Sequence, residues 1–233
     1  MRYLKHDYDF PIVERKKFSI SLGATYNRRA ASPKIIIKGL TLLDAALDAD
    51  ASFVPGKSTL VIPSQSVADL KFLAAVVNSR AVSFYVKQKY ASASYNGGVN
   101  FTTDMINGIP VPASIDKQKL VKAVDKIIAA QSKIAVASKE LLDAVRASGT
   151  PKALSRFDSW YEWSASEFIN ELKRAGIGVN IRERGEWTAL LEEKQAVTIP
   201  HRKQVEEAQA EIDDAVNDGF QLTASERSLI GPK

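Results

Sequence analysis

Apolar positions along the chain change period near residue 112. Before it, short runs dominate. KFSISL, residues 17–22, sets Phe18, Ile20 and Leu22 at every second position, the pattern of a strand with one face buried. In PKIIIKG the consecutive Ile35, Ile36 and Ile37 predict a strand covered on both faces, and so a central one. STLVIP, residues 58–63, reads as a further strand stopped by a proline that cannot donate a ladder hydrogen bond. A helix capped at Ser66 follows, with an apolar stripe at Leu70, Leu73 and Val77. It breaks at Asn78-Ser79, resumes with Val82, Phe84, Tyr85 and Val86, and closes on Lys87, Gln88, Lys89 and Tyr90. Asn96-Gly97-Gly98 signals a turn, and Thr103 is placed to cap a short helical turn ahead of Ile-Pro-Val-Pro.

Beyond Pro112 the spacing is helical. Leu120, Val124, Ile127, Gln131, Ile134, Ser138, Leu141 and Val145 step by threes and fours, a heptad-like seam. Opened by a cap at Ser114 or Asp116 and stopped near Gly149, it predicts a helix over 116–148, roughly 45 Å long at about 1.5 Å per residue. Gln131 and Ser138 interrupt the seam, which favours packing onto neighbouring helices over an extended dimeric coil. Ser164 and Glu167 form a capping box for a second helix that Gly176 ends, and Thr223 and Glu226 form another for the last turn. Between them EWTALLEEK and the segment from Pro200 to about Asp218 read as two more helices. The prolines at 110 and 112 give the expected boundary. The fold class is α+β: a mixed α/β domain over residues 1–112 and a mostly helical region over 113–233.

Composition narrows the function. With no cysteine there is no disulfide framework or thiolate site, and no apolar run approaches the roughly 20 residues that span a bilayer, so a soluble, cytoplasmic chain without a membrane partner is expected. The opening MRYLKHDYDF has no signal-peptide core and reads as the middle of a fold, which predicts a fragment. Residues 1–115 carry 14 Lys+Arg against 8 Asp+Glu, or +6, while 116–233 carry 18 against 19, or −1. The positive excess therefore lies in the first half, where a basic face can gain affinity for a polyanion by releasing counterions.

Catalytic signatures are missing. His6 and His201 are the only histidines, and no spacing of zinc ligands, phosphate-cradling glycine loop or nucleophile elbow occurs. Glu171-Leu-Lys173 with Asp158 has a nuclease-like spacing, but Phe168, Ile169 and Leu172 make it the solvated side of an amphipathic helix. Asp213-Asp214 and Glu206-Glu207 are read as solvated too, because adjacent helical residues point about 100° apart. No catalytic residue and no metal ligand is assigned.

The order of features does carry a resemblance. PKIIIKG, a loop and short strand, LKFLAAVVNSRAVSFYV and NGIPVP together resemble the TaqI-like C-terminal specificity domain of adenine-specific DNA methyltransferases. Val77 stands at the leucine of that family's Leu-Asn-Ser element. EIDDAVNDGFQLTASERSLI is similar to its closing helices, although Asn217, Asp218 and Gly219 depart from the tyrosine and leucine frequent there. The resemblance implies a target recognition domain that reads double-stranded DNA for a restriction-modification or phage-defence enzyme. Methyl transfer from S-adenosylmethionine would belong to an N-terminal methyltransferase domain, whose Asn-Pro-Pro-Tyr-type motif this sequence lacks, so no cofactor is expected in the fragment itself. A recognition domain supplies the register and binding energy that offset unstacking of a flipped base.

The expected contacts follow from side-chain chemistry. Arg28 and Arg29, in the polar stretch YNRRAASP taken as a loop between strands, suit phosphate or guanine. Lys38, Arg80, Lys87, Lys89 and Tyr90 offer charge and an aromatic ring for the backbone. Tyr95, Asn96 and Asn100 flank a glycine turn that could enter a groove, where asparagine pairs with adenine, although turns favour asparagine regardless. Asn78-Ser79 is read as a helix stop and cap, and Trp160, Trp163 and Trp187 as packing anchors. A rival reading from another class is a protein-interaction module of a defence complex, built on the helix near 116–148 and without direct DNA binding.

Overall fold

The computed structural model describes residues 23–41, 43–56, 58–90, 94–95, 98–149, 151 and 154–231. KFSISL lies outside them. The fold is α+β, a small antiparallel sheet in the N-terminal part and a mostly helical C-terminal region. None of the helices among the described residues is long and apolar enough to cross a membrane. The described chain divides into two compact units: residues up to Asp125 together with those from Ala208 onward, and Lys126 to Glu207.

In the first unit, β1 (Lys34–Lys38) is the centre of a three-stranded antiparallel sheet, flanked by β3 (Ala45–Asp48) and β4 (Thr59–Pro63). Ile35 and Ile37 share one face of β1 and are fully buried, while Ile36 on the other face is half-buried. Pro63 closes an edge strand, where its missing N–H costs nothing. The following Gly39 is required by close approach. Its N–H donates to the Ser58 carbonyl at 2.9 Å, and a Cβ there would fall 2.4 Å from that same oxygen. β2 (Leu40–Thr41), β5 (Ser94–Tyr95) and β6 (Gly98–Asn100) form a second small sheet in the order β2-β6-β5.

Helix α1 (Ala24–Ala30) occupies the stretch expected as a loop. Alanine and arginine favour helix, and the next proline along the chain, Pro33, comes only after it has ended. Helix α2 (Val67–Asn78) starts at Ser66, whose hydroxyl accepts from the Asp69 N–H at 3.2 Å, and packs its stripe on the sheet with Leu70 and Val77 buried. Ser79 then ends α2 and caps α3 (Arg80–Lys89), accepting from the Val82 N–H at 3.3 Å. A short helix α4 (Thr103–Asn107) is capped by Thr102 rather than by Thr103, its hydroxyl accepting from the Met105 N–H. Threonine 103 has entered the helix, one residue past the expected cap.

The heptad-like seam builds α5 (Lys117–Ala147), capped by the Asp116 carboxylate on the Lys119 N–H at 3.1 Å. Leu120, Val124 and Ile127 at one end and Leu141 and Val145 at the other are fully buried, while Gln131, Ile134 and Ser138 between them are only half-buried. The second unit takes its core from aromatic residues. Phe157 and Trp160 come from a 3-10 segment (Leu154–Glu162), Phe168 and Leu172 from α6 (Ala165–Arg174), and Trp187 and Leu191 from α7 (Ile181–Gly219). Phe168 sits edge-on to Phe157 and Trp187, each at 6.0 Å between centroids. The Ser164–Glu167 capping box is present, and Gly176, at φ +90°, ends α6 with its N–H on the Lys173 carbonyl and that of Ile177 on the Leu172 carbonyl.

The helix expected to start at Pro200 is instead the middle of α7, which runs unbroken for 39 residues. Its start is set by an unanticipated capping box, Asn180 Oδ1 accepting from the Glu183 N–H at 3.0 Å and Glu183 returning the bond to the Asn180 N–H at 2.9 Å. Proline removes the N–H that the Ala196 carbonyl would accept, but Ala196 and Pro200 lie on the exposed side, where water can meet that oxygen. The last helix, α8 (Ala224–Ile230), begins at the expected Thr223–Glu226 capping box.

Candidate nucleic-acid interface

Helix α3 ends in cations because of where its apolar face lies. Ala81, Val82 and Val86 are buried, which turns Lys87 and Lys89 outward in the last turn, where they also complement the helix dipole. The Lys89 ammonium donates to the Tyr85 hydroxyl at 2.6 Å and stands 5.0 Å and 5.6 Å from the ring centroids of Tyr85 and Tyr90. That hydrogen bond holds Lys89 above the ordinary lysine value, against a smaller desolvation. The Tyr85 hydroxyl in turn donates to the Gly108 carbonyl at 3.4 Å, so the turn after α4 braces the pair.

The far end of β1 joins this neighbourhood through the backbone. Leu40 pairs with Asn100, and the Phe101 N–H donates to the Gly39 carbonyl at 2.8 Å, which sets Asn100 beside the strand end that carries Lys38. Both Lys38 and Asn100 are exposed. From Asn100 the chain passes through α4 to Gly108 and the tyrosines. Tyr95 pairs with Gly98 in the small sheet, while Asn96 lies outside the described residues.

Arg28 and Arg29 are elsewhere. They are exposed on the last turn of α1, which leads into the Lys34 end of β1. Lys34 and Lys38 stand at opposite ends of that strand, about 13 Å apart at about 3.3 Å per residue. Arg28, Arg29, Lys38 and Lys87 form no ion pair with a carboxylate among the described residues, whereas Lys71 and Lys117 are held by Asp125 and Asp69.

Arg80 is also engaged. Its N–H donates to Asp213 Oδ1 at 2.8 Å and its Nε lies 3.1 Å from Oδ2, with the side chain 46% exposed. Asp213 is therefore not the solvated acid expected from sequence. It is 5% exposed, buried with Ile212 and Val216 on the face of α7 that belongs to the first unit, and only Asp214 points outward. Glu206 and Glu207 are exposed as expected, and Glu171 is tied to Arg174 and to Arg156. No group of three or more metal-ligating side chains occurs among the described residues.

Sequence reasoning missed one polar cluster altogether. Lys34 and Asp48, opposite one another across β1 and β3, form an ion pair with both side chains buried. Burial alone would raise the Asp48 carboxyl, but the Lys34 ammonium and the N–H groups of Phe53 and Ser52 outweigh it and hold it below its ordinary value. Asn78 does more than help end a helix. Its amide also makes a two-way bridge to β3, accepting from the Ala45 N–H at 3.0 Å and donating to the Ala45 carbonyl at 2.8 Å. The signal available was a single buried polar residue at a helix end, which does not say what it will meet.

Residues 113–216 match a family model described as a domain of unknown function, DUF8810. The match begins immediately after Pro112 and covers the long helices. No curated protein and no solved structure matches the chain.

Proposed function

We propose that the first unit is a double-stranded DNA recognition module, the target-reading part of an adenine-specific methyltransferase or restriction-modification enzyme whose S-adenosylmethionine chemistry resides in a separate domain. One observation carries this reading. Arg28, Arg29, Lys38 and Lys87 are exposed without a carboxylate partner among the described residues, and Lys89 leans only on tyrosines. Unpaired surface cations keep their full counterion-release energy for a phosphate ladder, whereas a cation already paired, such as Arg80, must give up Asp213 first. Lys87, Lys89 and Lys38 serve as phosphate contacts that set register, and Asn100 is the side chain with the chemistry to read a base edge. The whole chain should bind duplex oligonucleotides with log affinity falling linearly against log salt. A flat titration at low salt rejects the reading.

A second reading has its own observation. In the second unit Val136 and Ile199 are 53% and 52% exposed, apolar positions on α5 and α7 within the segment matched by the family model. They suit a partner helix. A partner protein bound by the chain, with no duplex binding at low salt, would favour a protein-interaction module instead.

A further inference from the structure

We infer that the buried Lys34–Asp48 pair is a positioning device that fixes the helix presenting Arg28 and Arg29, a role in DNA binding that rests on the duplex-recognition reading above. Helix α1 has seven residues, far fewer than an isolated helix needs, and its N-cap Gly23 makes no side-chain bond. Ala30 is its one buried residue. Contacts from outside the helix must therefore hold it, and they come at both ends.

At the C-terminal end the Lys34 ammonium donates to the Ala30 carbonyl at 2.9 Å and to the Ser32 carbonyl at 3.3 Å. The Ala30 oxygen is one that the helix leaves without an internal partner, and Ser32 lies just beyond the helix end. Earlier in the helix the Tyr26 hydroxyl donates to the Pro55 carbonyl. Both anchors trace back to Asp48. It is the counter-ion of Lys34, and its Oδ1 accepts from the Ser52 N–H at 2.9 Å while Oδ2 accepts from the Phe53 N–H at 3.1 Å. Those bonds fold the turn that delivers Pro55 to Tyr26. One ion pair thus sets the Ala30 end directly and the Tyr26 end through the turn, with the two arginines between them.

An apolar pair of similar volume can replace a buried ion pair with little loss of stability. An alkyl side chain cannot donate to the Ala30 carbonyl. This separates positioning from a merely structural role. The test uses the whole chain in three forms beside the native one: Lys34→Met with Asp48→Leu, Lys34→Met alone, and Arg28→Ala with Arg29→Ala. Unfolding midpoints, residue-resolved hydrogen exchange over 24–31 and affinity for a labelled duplex are read for each. In the apolar-pair variant the midpoint should recover relative to Lys34→Met, yet exchange over 24–31 should quicken by about tenfold or more, since only local anchoring is lost. Its affinity should fall as far as that of the double-arginine variant. Recovery of stability, protection and affinity together would overturn the proposal. Should the apolar-pair chain not fold, the native chain decides: protection at Arg28 to Ala31 within about tenfold of that at Ile36 supports the anchoring, and exchange near free-peptide rates refutes it. Absence of duplex binding by the native chain at low salt removes the duplex reading, and an isotherm unchanged by Arg28→Ala with Arg29→Ala removes the two arginines as contacts and with them the role in DNA binding; the exchange data judge the anchoring in either case.

Discussion

The two units put their ion pairs to different uses. In the second, the ion pairs lie at the surface and most join residues three or four apart: Lys139 and Arg146 on Asp143, Arg174 on Glu171 and Lys203 on Glu207, with Lys194 between its neighbour Glu193 and the more distant Glu140. Its core is left to aromatic and aliphatic packing. In the first unit the ion pairs and amide bridges that matter are long-range and have a buried member: Lys34 with Asp48, Asn78 with Ala45, and the half-exposed Arg80 with buried Asp213. Arg28, Arg29, Lys38 and Lys87 of that unit have no carboxylate partner among the described residues. Local pairs on helices solvate a surface and add little stability, whereas pairs with a buried member join distant segments, so the contrast lies in what the ion pairs hold together.

The comparison can be broken at several strengths. Phe168→Ala, which empties the middle of the aromatic core, should cost about 4 kcal/mol by denaturant midpoint. A loss no greater than that of a surface substitution would mean that the second unit is not held by its core. Asp48→Ala leaves a buried ammonium unpaired and should cost about 3 kcal/mol. The same pair predicts a pH dependence. Because the folded Asp48 carboxyl is depressed, its stabilisation is fully present above the unfolded value of about 3.9 and is lost as pH falls through the lower folded value. Acid unfolding followed by circular dichroism should therefore be shallower when Lys34→Met and Asp48→Leu are combined.

Asn78→Ala strands the Ala45 N–H and carbonyl in a buried place and should cost about 2 kcal/mol, while leaving the Ser79 cap intact. A smaller and opposite effect is available at the end of α7. There Gln221 adopts φ +57° in the same helix-ending geometry that Gly176 fills in the second unit, its N–H on the Asp218 carbonyl and that of Leu222 on the Asn217 carbonyl. Gln221→Gly should stabilise by about 0.5–1 kcal/mol in thermal unfolding, the penalty of a side chain in left-handed backbone. Last, Lys87→Ala with Lys89→Ala should move stability by no more than about 0.5 kcal/mol. It should lower the slope of log affinity for duplex against log salt by about two, whereas Lys139→Ala with Lys203→Ala should leave that slope alone. Equal slopes in the two double variants would erase the distinction between the units.

What could be read beforehand was local chemistry. Ser66, Ser79, the Ser164–Glu167 and Thr223–Glu226 boxes and the isoleucine run of β1 each act within four residues of themselves, and each does what its side chain dictates. Elements whose existence depends on distant partners were not legible. Strand β3, Ala-Ala-Leu-Asp, has no alternation of its own and is defined by pairing with β1 and by the Asn78 amide. Helix α1 has almost no apolar face, so its period gave nothing to detect, and its anchors Pro55 and Lys34 lie outside it. Asp213 looked like its neighbour Asp214 until the fold brought Arg80 to it across 133 residues of chain. Pro200 carries the usual sequence signal of a helix start, but its position on an exposed face lets the helix pass through.

The passage of α7 through Pro200 bears on how the protein can be dissected. Ile212, Asp213 and Val216, at its C-terminal end, are interior parts of the first unit, although they follow the whole second unit in sequence. A clone trimmed at Glu207 would strip Arg80 of its acid and uncover apolar side chains, and should be recovered as insoluble material. Excising residues 126–207 and rejoining the flanks with a short flexible tether keeps every interior residue of that unit, and is the truncation to purify.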